Sequence, residues 1–152
     1  RTATDNIFLD LLNMASNKAH IINLPKIEDP RGNLSFIEGN NHIPFKIERT
    51  YWIYDVPGGR TRSGHAFRTQ EEFIIALSGS FDVILDDGKG NRNTFHMSRS
   101  YYGLYVPPMM WREIVNFSTN SVAAILSSTK YDEADYIEDF NLFKETANET
   151  ND

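Results

Sequence analysis

Cysteine is absent from this chain, which excludes disulfides and thiolate metal sites and leaves the redox compartment unmarked. Positive charge is scarce: 15 Lys and Arg stand against 21 Asp and Glu, a formal net charge of −6 with no clustered basic block. Phosphate backbones are held chiefly by such blocks, so nucleic-acid binding is excluded and only a local basic pocket for one small anion is left. No apolar run approaches the roughly 20 residues of a membrane span, and the first residues lack the basic, apolar and small-residue order of a signal peptide. A soluble cytoplasmic protein with no membrane partner is the expectation. The chain opens on Arg1 rather than Met, as a trimmed or excised segment would, and is compatible with fusion to a further domain.

What the chain has in quantity is aromatic residues, with 10 Phe, 7 Tyr and 2 Trp. Such residues, with the β-branched ones, favour half-buried pleated surfaces, so the composition leans towards sheet. A length of 152 residues suits one core rather than two. Residues 6–15 (NIFLDLLNMA) are apolar and free of Gly and Pro, with Asp5 or Asn6 as N-cap, and read as a short helix within an N-terminal extension over 1–20. Beyond it the texture changes to short runs separated by turn residues. Strands are predicted over 21–24, 33–38, 46–55, 71–77, 80–85, 93–97, 103–106, 112–117 and 121–128.

Two of these strands hinge at Ser78-Gly79-Ser80, and a second turn runs from Asp86 to Gly90, which predicts an antiparallel meander. The acidic turn also looks like a fragment of a calcium loop, but it lacks the remaining ligand spacing and reads as a hairpin turn. With no helix of crossover length between strands, a parallel α/β sheet is ruled against in favour of an all-β barrel spanning 21–145. Tyr136, Ile137, Phe140, Leu142 and Phe143 fall near helical spacing, which predicts a C-terminal helix over 132–145 and a frayed polar tail over 146–152.

One constellation carries chemistry. Gly59, His65, Phe67, Glu72 and Gly79 are separated by five, one, four and six residues, and Pro107, Met109, Arg112 and Asn116 form a second group. This spacing resembles the two cupin motifs, which implies a cupin-type double-stranded β-helix, or jelly-roll, barrel. In that superfamily the position of Phe67 is usually a second metal-binding His and that of Arg112 a third. Phe offers no lone pair and a permanently charged guanidinium opposes a divalent cation, so no metal and no cofactor is expected. Residues two apart on a strand share a face, so His65 and Arg112 are expected to line one lumen.

Longer words sharpen the resemblance: RGNLSFIE (31–38), IPFKIERTYWIYDVP (43–57), GHAF (64–67), LSGSFDVILDDG (77–88), GLYVPPMMWRE (103–113) and YDEADYI (131–137). Together they resemble the sugar nucleotide 3,4-ketoisomerases over about residues 21–143. The resemblance implies conversion of a dTDP-linked 4-keto-6-deoxyhexose to its 3-keto isomer in deoxyamino-sugar biosynthesis. It places Arg31, Tyr51 and His65 in the active site and implies a homodimer. The word GHAF is often GHAH in the family, with the second His also moving protons, so Phe67 is a departure.

Such chemistry needs a base at C3, an enediolate-like intermediate and a proton returned to C4. His65 is the candidate for both transfers. Arg112 or Arg31 is expected to stabilise the oxyanion, and Tyr51 to orient His65 or to replace the missing second acid/base. Arg49 and Arg62 are candidates for the diphosphate, and Trp111 or Tyr102 for ring contacts. Glu72, without metal partners, reads as holding an Arg or His65 in place, and Arg112 alternatively closes a salt bridge with Glu72 or Glu113. His20, His42 and His96 read as surface or turn residues. The competing functions are a 3,5-epimerase of the same substrate class, a sugar-nucleotide-binding module without catalysis, and a metal-dependent cupin oxygenase.

Overall fold

The computed structural model describes residues 18–149, and the alternation of side chains along its strands decides what is core and what is cavity. The strands are β1 (His20–Asn23), β2 (Lys26–Ile27), β3 (Leu34–Ser35), β4 (Arg49–Ile53), β5 (Arg62–Phe67) and β6 (Glu72–Ser78). They continue with β7 (Phe81–Asp86), β8 (Arg92–Met97), β9 (Tyr102–Val106), β10 (Trp111–Val115), β11 (Val122–Ser127) and β12 (Tyr136–Ile137), followed by a helix, α1 (Phe140–Glu149). One five-stranded sheet has the order β1-β9-β6-β11-β4 and a second has β12-β5-β10-β7-β8, with β2 and β3 as a separate hairpin. Every pairing of named strands is antiparallel. Two such sheets facing each other make the expected jelly-roll barrel.

Each strand feeds two layers because its side chains alternate. Ile74 and Ala76 of β6, Ala123 and Ile125 of β11, Phe81, Val83 and Leu85 of β7, and Ile114 of β10 pack between the sheets. Phe73, Ile75, Ala124 and Leu126 point the other way, where Ile43 and Phe45 cover them. On the outer face of the second sheet, Ala66, Trp111 and Ile137 lie under Phe143 and Ala147 of α1.

Several elements differ from expectation. The strands joined by Ser78-Gly79-Ser80 do not pair: β6 belongs to the first sheet and β7 to the second, so this turn is a corner and not part of a meander. Gly79 makes the corner possible, with φ of 66° and Ser118 Oγ only 2.5 Å from where a Cβ would stand. The next turn is the predicted hairpin, in which the Asp87 carboxylate accepts from the backbone of Lys89 and from Asn91. Only Leu34–Ser35 of the strand expected over 33–38 forms, and β5 was not among the expected strands. His20 is buried against Tyr105 rather than at the surface, while His96 is exposed beside Asp82.

The C-terminal region also departs from its helical spacing. Glu133–Asp135 is a single 3-10 turn, and Tyr136 and Ile137 pair with Phe67 and Ala66 of β5. The helix starts only at Phe140, where the Asp139 carboxylate caps it by accepting from Leu142 N, 2.8 Å. It runs to Glu149, with Ala147 buried and Asn148 Nδ2 donating to Gly88 O, so residues 146–149 of the segment expected to fray are helical. The helix expected over 6–15 lies outside the described residues. Among the described residues, no helix is long and apolar enough to cross a membrane.

Candidate active site

Between the sheets lies a cavity of about 680 Å³. Ile53, Ile74, Ile114 and Ile125 form its apolar walls, and its polar groups include Tyr51, Arg62, His65, Glu72, Arg112, Tyr136 and Glu138. The period-two alternation of β6 explains why an ionisable residue sits inside: Glu72 shares the inward face of Ile74 and Ala76. On the facing sheet, Arg112 and His65 are direct cross-strand partners of β10 and β5.

Glu72 is the hub. Its Oε1 accepts from Arg112 Nη1 at 2.5 Å, and its Oε2 accepts from Tyr51 Oη at 2.5 Å and from Gln70 Nε2 at 2.7 Å. Arg112 Nη2 donates to Met110 O at 2.9 Å, while its Nε is a buried donor with no hydrogen-bond partner among the described residues. A buried charge pair persists only when its polar atoms find partners, and here every side-chain nitrogen and oxygen of the pair except Arg112 Nε has one. Burial, then the Glu72 carboxylate, pushes the Tyr51 phenol well above its ordinary range, so Tyr51 stays a protonated donor.

Phe67 is fully buried, with the Arg112 guanidinium carbon 4.9 Å from the centre of its ring, a cation–π contact. Its ring lies edge-on to His65 at 5.0 Å and to Tyr136 at 4.5 Å, and the His65 and Tyr136 rings are 5.5 Å apart. Among the described residues, no three His, Cys, Asp or Glu side chains cluster to hold a metal ion. At the two positions where the cupin pattern has ligands, an apolar ring and a cation bonded to Glu72 stand instead. Arg49 sits at the edge of this network, donating to Gln70 Oε1 at 3.1 Å with its guanidinium over the Tyr51 ring.

A family model described as FdtA, WxcM-like, C-terminal, matches residues 17–148. The chain belongs to this FdtA family. A relative 43% identical over 124 residues, covering 82% of this chain and 88% of its own, is the TDP-4-oxo-6-deoxy-alpha-D-glucose-3,4-oxoisomerase of Aneurinibacillus thermoaerophilus. Among solved structures, the WlaRB TDP-quinovose 3,4-ketoisomerase of Campylobacter jejuni is similar at 40% identity and TM-score 0.80, covering 84% of this chain and 98% of its own. The 3,4-ketoisomerase QdtA of Thermoanaerobacterium thermosaccharolyticum, a histidine-to-asparagine variant in complex with TDP-4-keto-6-deoxyglucose, is similar at 31% identity and TM-score 0.84, covering 86% and 94%.

In this FdtA-family barrel, His65, Tyr51, Glu72, Arg112 and Arg62 come together around the cavity as expected. Of the two salt bridges open to Arg112, the one with Glu72 forms, and Glu113 pairs with Arg92 instead. Three candidates lie elsewhere. Arg31 is in the turn between β2 and β3, its side chain 90% exposed and paired with Asp29. Trp111 follows from Arg112 by alternation: with Arg112 inward, Trp111 faces outward and packs on Phe140 and Phe143. Tyr102 directs its hydroxyl to Ser98 and His96 O, away from the cavity. The residue missed was Tyr136. The capping signal of Asp139 three residues ahead of Leu142 would have started the helix later and left Tyr136-Ile137 as a strand pair.

Proposed function

We propose that this chain is a sugar-nucleotide isomerase that moves the carbonyl of a TDP-linked 4-keto-6-deoxyhexose from C4 to C3. The observation that carries the reading is His65, held between aromatic rings on the wall of a cavity whose buried carboxylate, Glu72, is tied to a guanidinium. An imidazole is suited to taking the proton at C3 and returning one at C4, since its ordinary ionisation lies near neutrality. The negative charge that develops on the C4 oxygen as the C3 proton leaves needs a fixed donor, and Arg112 Nε, the buried N–H left unpaired by the Glu72 network, serves that oxygen. Arg62, exposed at the cavity, faces the diphosphate. Tyr51 is a positioning residue in this mechanism: its hydroxyl is committed to Glu72, and deprotonating it would set two anions in contact.

The relatives named above isomerise TDP sugars, and the lining of this cavity is compatible with the same sugar class. The test is incubation with TDP-4-keto-6-deoxyglucose in deuterated water, followed by NMR. A new C3 ketone carrying deuterium at C4 is the expected result. Deuterium at C3 and C5 with the carbonyl unmoved would make the chain an epimerase, and binding without exchange would make it a binding module; either outcome overturns the reading. A cytoplasmic homodimer belongs to the same proposal. Exposed Ile27, Leu34, Phe36 and Leu77 support association of two copies, which light scattering checks directly.

A further inference from the structure

We propose that Tyr136 is a catalytic residue of this site, its phenol carrying the proton that passes between the C4 and C3 oxygens while His65 carries the one that passes between the carbons. The assignment rests on the isomerase function proposed above and adds a second acid/base group to it. Isomerisation relocates two hydrogens: one from C3 to C4, the other from the C3 hydroxyl to the C4 oxygen. The carbon-bound hydrogen leaves perpendicular to the plane of the developing enediol, whereas the hydroxyl hydrogens lie in that plane. Two groups approaching from different directions therefore serve the reaction better than one.

The step balances with no further reactant. As His65 takes the C3 proton, the Tyr136 O–H gives its proton to the C4 oxygen, leaving an enediol, an imidazolium and a phenolate. The phenolate then takes the proton of the C3 hydroxyl as the imidazolium delivers one to C4. The C3 carbonyl forms and both side chains return to their starting states.

Geometry singles out Tyr136. It lies on β12, opposite Phe67 of β5, and lines the cavity with its ring 5.5 Å from that of His65, so the two side chains reach adjacent atoms of one sugar. The other phenol of the cavity, Tyr51, has given its proton to the Glu72 hydrogen bond. Phe67, packed against both His65 and Tyr136, has no proton to move. Arg49, held by Gln70 with its guanidinium over the Tyr51 and Tyr131 rings, acts on the Tyr136 phenol as a neighbouring cation. Burial raises the Tyr136 phenol above its ordinary range, which keeps it protonated as the acid, and Arg49 opposes that rise and so limits the cost of the transient phenolate.

The experiment compares wild type, Y136F, R49Q and H65N in deuterated water with TDP-4-keto-6-deoxyglucose, reading C3 deuterium exchange and 3-keto product separately, with melting curves for each. Y136F is expected to lose about 100-fold in product formation, the scale of a general acid/base, while exchange at C3 falls by no more than about tenfold. R49Q leaves the phenol and removes its cation, so the exchange-to-product ratio rises in the same direction, and it carries the test should Y136F melt below assay temperature. H65N loses exchange and product together. Equal losses of exchange and product in Y136F, or an unchanged ratio in R49Q, overturn the role of Tyr136. A wild-type enzyme that makes no 3-keto product overturns the underlying function instead.

Discussion

Glu72 and Arg112 join the two sheets of the barrel across the cavity. Glu72 rises from β6 in one sheet and Arg112 from β10 in the other, and both are essentially without solvent contact, at 0% and 1% exposure. Their contact runs from Arg112 Nη1 to Glu72 Oε1. Through it Glu72, Tyr51, Gln70 and Arg112 form one hydrogen-bonded network that spans both sheets.

Breaking that pair from one side leaves the other charge stranded. Glu72→Gln or Arg112→Met alone is expected to cost about 3–5 kcal/mol, the usual penalty for an uncompensated buried charge. Replacing both by apolar residues of similar volume recovers most of the loss, because no buried charge is then left. Denaturant unfolding of the two single variants and the double variant checks this, and a double variant as unstable as the sum of the singles would contradict it.

Alkaline stability follows from the phenols. Burial raises Tyr51, Tyr105 and Tyr136 above the ordinary tyrosine range, with Glu72 and Glu71 adding to the effect at Tyr51 and Tyr105. A group whose folded pKa is raised lends stability that is fully present below its unfolded pKa and is lost as pH rises through the folded one. The phenols' contribution to stability is therefore flat up to about pH 10 and then falls by up to about 1.4 kcal/mol per pH unit for each phenol still protonated in the fold. Tyr51→Phe is expected to remove one proton from that slope in denaturant titrations repeated above pH 10.

Gly64, in the strand carrying His65, leaves room for the Trp111 indole. A Cβ there would stand 2.5 Å from three atoms of the Trp111 indole, which is itself pinned under Phe140 and Phe143. Neither partner can yield without moving β5 or α1, so Gly64→Ala is expected to cost about 1–3 kcal/mol. Because His65 is the next residue, kcat is expected to fall more than TDP affinity. Thermal melting and steady-state kinetics separate the two effects.

Much of the barrel was legible because turn chemistry and period-two alternation are local. The Asp87 hairpin and the inward face of β10 follow from the residues themselves. Sheet membership was not legible: nothing in Ser78-Gly79-Ser80 says whether the next strand pairs with the last or crosses to the facing sheet, since a left-handed glycine serves both. The site was legible where spacing met alternation, at His65, Glu72 and Arg112. Trp111 misled because adjacency in sequence means opposite faces in a strand. Tyr136 was hidden because a strand of two residues has no period of its own, and the apolar positions after it matched a helix.

In the proposed reaction His65 is the base, and that role is expected to separate from binding. Asn keeps most of the volume and a hydrogen-bonding edge at that position but cannot accept and return a proton near neutrality. His65→Asn is expected to lower product formation and C3 exchange by at least about 100-fold. TDP affinity is expected to stay at the wild-type level, because the diphosphate is assigned to Arg62 at the cavity's exposed side while His65 lies against Phe67 and Tyr136. Calorimetric titration with TDP, run beside the NMR assay, checks both halves. Affinity that fell in step with turnover would make His65 a residue that holds the ligand, and the base would then have to be sought among the remaining groups of the cavity.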